Sequence, residues 1–197
     1  RRPALHVHAA GARNPMSTCP WALRSPLEQV YHDTEWGVPL FDDARLFELL
    51  VLETMQAGLS WTLVLQRREG MRAAFDGFDP AAIARYDSQK LQALQTDERI
   101  IRNRLKLASL PQNARAFLRV QQEFGGFSAY LWAFVDGRPH INHWRQPDEV
   151  PAQTALSQAV SRDMKSRGFA FLGPVTVYAY LQAAGLVNDH LVTCARH

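Results

Sequence analysis

Apolar residues recur every three or four positions along most of this chain, which is the spacing of an amphipathic helix. In the clearest case Asp42 or Asp43 caps a helix that runs to about Ala57. The same pattern predicts further helices over 61–75, 79–86, 88–95, 98–108, 112–123, 128–135, 154–167 and 175–184. We expect Pro111 to break the chain between the fourth and fifth of these, and 136–151 to form a long loop. Because no segment alternates apolar and polar residues convincingly, the predicted fold class is all-α.

The composition limits the class of protein. A length of 197 residues suits one domain, so we expect a poorly ordered tail over 1–16 and a single helical domain of two lobes over 17–197. Two cysteines are too few for a disulfide framework, which favours a reducing compartment such as the cytoplasm. No apolar run approaches the roughly 20 residues of a membrane span. A net charge of +3 is compatible with a polyanionic partner but does not identify one.

The chain carries each of its two cysteines near a histidine, at opposite ends of the sequence. Cys19 and His32 lie near the start, and His190 and Cys194 lie at the end. Two cysteines and two histidines are a common closed ligand set for structural zinc. The alternative is a pair of buried thiols with surface histidines, and spacing alone leaves both interpretations open. If a metal binds, Asp33 or Asp189 would be a candidate partner for the neighbouring histidine.

A carboxylate lies on the apolar face of the predicted 42–57 helix. Glu53 follows Leu49 and Leu50 by one turn, and burial of its charge would require donors or a cation. Gln56 lies one turn further on and can line the same pocket. The alternative is a helix-edge carboxylate or an internal salt bridge.

Aromatic and basic residues supply two further candidate surfaces. Flat aromatic walls beside one carboxylate would suit a planar cationic ligand, although core packing is the commoner role of a tryptophan. The aromatic residues concerned are Trp21, Tyr31, Trp36 and Trp61. A basic cluster around Asn103 is either a solvated helix face or a phosphate-binding hairpin. Its members are Arg99, Arg102, Arg104 and Lys106.

These residues occur in an ordered set of short motifs. The set comprises Cys19-Pro20-Trp21, Tyr31-His32-Asp33-Thr34-Glu35-Trp36-Gly37-Val38-Pro39, Leu52-Glu53, Gln56-Ala57-Gly58-Leu59-Ser60-Trp61, Ile100-Ile101-Arg102-Asn103-Arg104, Asn113-Ala114-Arg115-Ala116, Lys165-Ser166-Arg167-Gly168-Phe169 and Gly185-Leu186-Val187-Asn188-Asp189-His190. In this combination the chain resembles the 3-methyladenine DNA glycosylase I (Tag) family, within the helix-hairpin-helix DNA glycosylase superfamily. The resemblance runs from about residue 19 to residue 194.

The resemblance implies a role for each matching residue. Cys19, His32, His190 and Cys194 match structural ligands of one zinc ion that joins the two ends of the chain. Glu53 matches the glutamate that recognises the damaged base and is the expected catalytic residue. The expected base-binding residues are Trp21, Tyr31, Gln56 and Trp61. Gly58 and Leu59 match the junction that approaches the DNA, and a hairpin at about 98–116 is expected to hold the phosphate backbone through Arg102, Asn103 and Lys106.

The resemblance also implies an activity. We expect a monomeric, monofunctional enzyme that flips N3-methyladenine out of alkylated double-stranded DNA and hydrolyses its N-glycosidic bond, leaving an abasic site. Three positions depart from the family: Glu28 stands where some members have a tyrosine, and Arg99 and Leu105 stand where some have glycines. The alternatives are a non-catalytic binder of alkylated DNA and a zinc hydrolase, which would need an open coordination position.

Overall fold

The computed structural model describes residues 17–197, so the predicted tail over 1–16 lies outside the described residues. The α-helices are α1 (Pro26–Thr34), α2 (Asp43–Gln56), α3 (Trp61–Ala74), α4 (Pro80–Ile83), α5 (Ser88–Leu94), α6 (Arg104–Phe124), α7 (Phe127–Ala133), α8 (Ala155–Ser166) and α9 (Pro174–Ala183). Short 3-10 helices span Pro20–Arg24, Asp76–Phe78 and Pro147–Glu149. The strands β1 (His140–Ile141) and β2 (Val187–Asn188) pair in parallel. The fold is mostly helical, as predicted, with this one short ladder added.

Helix α2 lies at the centre of the core. Every residue from Leu46 to Met55 is buried, because α2 packs against α3, α6, α7 and α9. The Asp43 carboxylate accepts hydrogen bonds from the backbone N–H groups of Phe127 and Ser128, and so ties the start of α7 to α2. A helix enclosed in this way has a fixed position, and so do the side chains that it points into a cavity.

The predicted break at Pro111 was wrong, since α6 contains Pro111 and runs without interruption from Arg104 to Phe124. An interior proline cannot donate to the carbonyl four residues earlier, a loss that normally costs about 3 kcal/mol or more. Apolar side chains on both sides of Pro111, such as Leu107 and Phe117, are buried in the core, so tertiary packing holds the helix together. Residues 98–103 were predicted to be helical but precede α6 as a turn.

The hydrophobic pattern did not reveal α1. Leu27 and Val30 on this helix are 45% and 62% exposed, so the apolar residues that the pattern relies on do not mark its buried face. The start of α1 nevertheless has a local signal: Ser25 Oγ accepts from the backbone N–H of Glu28, and Pro26 occupies the first turn. Helix α1 matters because it supplies residues to both sites described below.

The predicted loop over 136–151 is joined to the C-terminal segment. Its strand β1 pairs with β2, and the backbone N–H of Val192 donates to the carbonyl of Trp144. Ser17 forms a bridge with Cys194, which brings the start of the described chain to its end. Among the helices of residues 17–197, none has the length and apolarity needed to cross a bilayer.

Candidate functional site

A cavity of about 470 Å³ lies between the N-terminal segment, α1, α2, α3 and α9. Glu53 and Gln56 enter it from the last turns of α2, and Glu28 and Tyr31 enter it from α1. Each pair is separated by three residues, which places both members on one face of their helix. Trp61, the first residue of α3, completes this wall, and Trp21 lies at another edge of the cavity. The structure thus brings together the catalytic residue and the four base-binding residues predicted from the sequence.

Glu53 is buried in the cavity with one oxygen unpartnered. Glu53 is 4% exposed, and no group among residues 17–197 donates a hydrogen bond to its Oε2 atom. Because burial in apolar surroundings penalises the charged form, the pKa of Glu53 is raised to about 8. Burial therefore favours the protonated form of this carboxyl group, whereas a cation beside it would favour the charged form.

The aromatic residues form the walls on either side of the carboxyl group. The ring centroids of Tyr31 and Trp61 are 5.2 Å apart with an interplanar angle of 51°. Trp21 packs edge-on against Trp36 at 5.1 Å. Burial, together with nearby Glu53, raises the pKa of the Tyr31 hydroxyl well above its ordinary value. Tyr31 is therefore a neutral phenol that can donate one hydrogen bond to a ligand.

Glu28 is a buried acidic residue of the cavity to which the sequence assigned no function. It is 1% exposed, and its Oε1 atom accepts a hydrogen bond from Thr62 Oγ1 at 2.8 Å. Its Oε2 atom is buried, and no donor in the described part of the chain reaches it. The sequence signal was present, because Glu28 lies one turn before Tyr31, but a solvated carboxylate was an equally good interpretation of that spacing.

Four buried side-chain atoms within residues 17–197 lack a hydrogen-bond partner, and all four residues line this one cavity. They are Glu28 Oε2, Tyr31 OH, Glu53 Oε2 and Trp61 Nε1. Such atoms are rare in folded proteins, and each costs roughly 1–3 kcal/mol. Their concentration in one aromatic cavity indicates a binding site for a flat ligand that has both donors and acceptors on its edge.

The four predicted metal ligands converge behind the cavity. Cys19, His32, His190 and Cys194 are buried, and one ligand atom from each lies within 4.8 Å of all the others. The measured separations are 3.2 Å between the facing histidine nitrogens, 3.5 Å from Cys194 Sγ to each of these nitrogens, and 3.8 Å from Cys19 Sγ to His190 Nδ1. Tetrahedral zinc, with Zn–N of about 2.0–2.1 Å and Zn–S of about 2.3 Å, sets its ligand atoms roughly 3.3–3.8 Å apart. Four of the six separations in the cluster are therefore close to those of a tetrahedral metal site, and the cluster could hold a metal ion.

The outer nitrogens of both histidines have acceptors. His32 Nδ1 lies 2.7 Å from Asp33 Oδ1, and His190 Nε2 lies 3.1 Å from the carbonyl oxygen of Trp36. Because a carboxylate and a carbonyl only accept, both outer nitrogens carry the hydrogen, and the inner nitrogens present lone pairs to the cluster. A Cβ atom on Gly37 would lie 2.8 Å from His190 Nε2, so glycine is required for this approach.

The two acidic neighbours of the histidines have different roles. Asp33 contacts His32 as the sequence suggested, whereas the side-chain partners of Asp189 are residues other than His190. Asp189 accepts hydrogen bonds from four side chains, those of Asn142, Trp144, Tyr178 and Gln182. It therefore ties the 136–151 segment to α9 beside the cavity.

The residues predicted to contact DNA fall into two groups. Gly58, with φ of +79°, and Leu59, which is 39% exposed, lie in the turn between α2 and α3, and Arg102 is exposed near this turn. Their positions leave them free to meet a large ligand. The side chain of Asn103 instead caps α6 by accepting from the backbone N–H of Lys106.

Lys106 has a contact that differs from the predicted one. It is 5% exposed, and its ammonium donates to the carbonyl oxygens of Met55 at 2.8 Å and Ala57 at 2.6 Å. These carbonyls belong to the C-terminal turn of α2, where a cation is favoured by the helix dipole. Lys106 therefore fastens the start of α6 to the turn that carries Gly58, and does not present its charge on the surface.

The comparisons with known proteins agree with this arrangement. Residues 21–197 match the family model described as methyladenine glycosylase. The DNA-3-methyladenine glycosylase 1 of Escherichia coli is 43% identical over 179 residues, which cover 91% of this chain and 96% of the relative.

Two solved structures are also similar. A crystal structure of 3-methyladenine DNA glycosylase I has a TM-score of 0.89 at 43% identity, and the match covers 92% of this chain and 100% of that one. The Staphylococcus aureus enzyme, whose structure concerns the recognition of 3-methyladenine, has a TM-score of 0.88 at 37% identity over 92% of this chain and 96% of its own. The chain therefore belongs to the methyladenine glycosylase family.

Proposed function

We propose that this protein is a monofunctional DNA repair glycosylase that excises 3-methyladenine from alkylated DNA. One observation carries the proposal: the four unpartnered polar atoms of the described chain all face a single aromatic cavity. The volume of about 470 Å³ lies within the roughly 300–1,000 Å³ of small-ligand pockets. A base inside a duplex cannot reach such a cavity, so the damaged nucleotide has to be extruded from the helix, as in other base-modifying enzymes.

Recognition follows from the charge of the damaged base. In DNA, 3-methyladenine is a cation, and the ionised form of Glu53 complements that charge and accepts a hydrogen bond from the amino group. Burial raises the pKa of Glu53 to about 8, so the cation must displace its proton to bind at neutral pH. A neutral adenine carries no positive charge to offset the cost of ionising the buried Glu53 carboxyl group. Tyr31 and Trp61 hold the ring by stacking, which contributes roughly 1–3 kcal/mol per base.

The reaction needs little acid catalysis because the leaving base is already cationic. Its glycosidic bond breaks with both electrons passing to the base, which departs neutral. Water then bonds to the sugar carbon of the oxocarbenium-like state and releases one proton, leaving an abasic site. The chain contributes mainly by positioning the base and by electrostatic complementarity at Glu53.

The cysteine–histidine cluster is proposed to bind one structural zinc ion. The donor set, its separations and the orientation of the lone pairs fit tetrahedral zinc. When bound, the ion would stabilise two thiolates and clamp the N-terminal segment to the C-terminus. Four protein ligands fill the tetrahedron, which argues against the alternative of a zinc hydrolase.

DNA backbone contact is proposed for the region around the turn between α5 and α6. In a helix-hairpin-helix arrangement this turn, residues 95–103, would meet phosphates, with Arg102 exposed to do so. Gly58 and Leu59 would approach the gap left by the extruded base. We also propose that the protein acts as a monomer in the cytoplasm, where its two buried cysteines would stay reduced.

The test is release of free base from methylated duplex DNA, with 3-methyladenine and 7-methylguanine resolved by chromatography. Glu53→Gln and Glu53→Ala should lower release of 3-methyladenine about 100-fold or more. The control is Glu69→Gln, whose side chain is 80% exposed. A folded Glu53→Ala protein with unchanged release would refute the role of Glu53. Binding of methylated DNA by the wild type without release of base would instead favour the non-catalytic binder.

A further inference from the structure

The cavity contains a second carboxyl group, from Glu28, that the mechanism above does not use. It is 1% exposed, and its Oε2 atom has no donor among residues 17–197. Its other oxygen accepts from Thr62 Oγ1 at 2.8 Å, which fixes the orientation of the side chain. A carboxylate held by one oxygen alone can still accept further hydrogen bonds through the other.

The surroundings place this free oxygen in the cavity that the aromatic residues and Glu53 line. Glu28 lies one helical turn before Tyr31 on α1, and Thr62 directly follows Trp61 on α3. The rings of Tyr31 and Trp61, which are proposed to stack on the base, are 5.2 Å apart. The Glu28–Thr62 hydrogen bond joins α1 and α3, the two helices that carry these rings. Glu53 enters the same cavity from a third helix, α2.

We infer that Glu28 is a specificity-determining residue that gives the cavity a second acidic contact for a cationic alkylated purine. The amino group of 3-methyladenine offers two N–H donors, so Glu53 and Glu28 can each accept one. A second negative charge in a poorly solvated cavity favours a cation over a neutral base of the same shape. The inference rests on the proposed function, because it concerns the same cavity and the same class of substrate.

The test measures binding of two uncleavable bases to the purified full-length protein. The cation is 3,9-dimethyladeninium, which carries a methyl group in place of the sugar, and the neutral counterpart is 9-methyladenine. Calorimetry at neutral pH gives the two dissociation constants and their ratio. Wild-type protein should bind the cation more tightly.

The decisive variant is Glu28→Gln, which keeps the shape and the contact with Thr62 but removes the charge. We expect it to weaken binding of the cation by about tenfold or more, and to change binding of 9-methyladenine less than twofold. The control Glu69→Gln, at an exposed position, should leave both constants unchanged. A ratio in Glu28→Gln equal to that of the wild type would overturn the inference.

A second variant keeps the test informative if Glu28→Gln does not fold. Glu28→Asp retains the charge, so it should keep the preference for the cation within about threefold even where both affinities fall. Loss of that preference in a folded Glu28→Asp protein would count against the inference. Because neither base is cleaved, these results are independent of excision, and failure of the wild type to release 3-methyladenine from DNA would refute the proposed function alone.

Discussion

The burial of Glu53 predicts that this residue contributes less to the stability of the protein at neutral pH than at acid pH. The group titrates at its ordinary pKa of 4.5 in the unfolded chain, whereas burial raises the folded-state pKa to about 8. Between these values the unfolded chain has lost a proton that the folded protein retains. The Glu53 contribution to stability is therefore highest below the lower pKa and falls as the pH rises towards the higher one.

The magnitude follows from the two pKa values. The slope is about 1.4 kcal/mol per pH unit between pH 5 and pH 8, and the total loss reaches about 5 kcal/mol above pH 8. Glu53→Gln has a similar shape but cannot ionise, so it should lack this term. At pH 7 the term amounts to about 3 kcal/mol, a large part of the 5–15 kcal/mol that stabilises a typical protein.

The assay is urea-induced unfolding of the wild type and Glu53→Gln, followed by far-ultraviolet circular dichroism at pH 5, 6, 7 and 8. The difference between their unfolding free energies should grow in favour of Glu53→Gln by about 3–4 kcal/mol over this range. The histidines and cysteines are common to both proteins, so their titration cancels. Parallel stability profiles would show that the folded protein solvates the Glu53 carboxylate, and would refute the argument that it requires a cation.

Two other parts of the structure give further predictions. Cys194→Ser should lose the proposed zinc, which elemental analysis measures. It should also unfold roughly 6–12 °C lower, because a loss of about 3 kcal/mol shifts the melting temperature of a domain this size by that amount. Full stability of this variant without bound metal would contradict the proposed clamp. Lys106→Met should cost about 2–3 kcal/mol in urea unfolding, since it leaves the carbonyls of Met55 and Ala57 without their charged donor. Lys106→Met should also slow base release more than the control Arg104→Met, which removes a neighbouring exposed cation. Equal effects of the two variants would show that Lys106 does not position the turn between α2 and α3.

The sequence predicted most helices because their signals are local. Asp42, one of the two expected caps, begins α2, and Ser60 caps α3; each side chain accepts from the backbone N–H three residues later. The continuity of α6 through Pro111 could not be predicted from the neighbouring residues, since packing against residues distant in sequence keeps the helix intact. Helix α1 escaped detection for a related reason: its buried face carries the polar residues Glu28 and His32, and its exposed face carries leucine and valine.

The candidate site was predictable where unusual residues also matched the motifs of the family. A glutamate on an apolar helix and two pairs of cysteine and histidine are unusual, but each left an alternative open until the ordered motifs were matched to the family. The environments of Glu28 and Lys106 were not predictable, because an isolated glutamate or lysine is normally solvated. Only the fold shows that Thr62 holds the first of these side chains and that the end of α2 holds the second.

Helix α1 connects the cavity to the cysteine–histidine cluster. It sends Glu28 and Tyr31 into the cavity, while the next residue, His32, faces the cluster on the other side. Four unpartnered atoms at roughly 1–3 kcal/mol each oppose folding, and a small rotation of α1 would relieve two of them by turning Glu28 and Tyr31 towards solvent. Packing of α1 against α3 and the Pro20–Arg24 segment opposes that rotation. The proposed zinc ion would hold α1 more firmly through His32. A metal site without a catalytic role would thus keep the polar atoms of Glu28 and Tyr31 in the cavity, where a ligand can reach them.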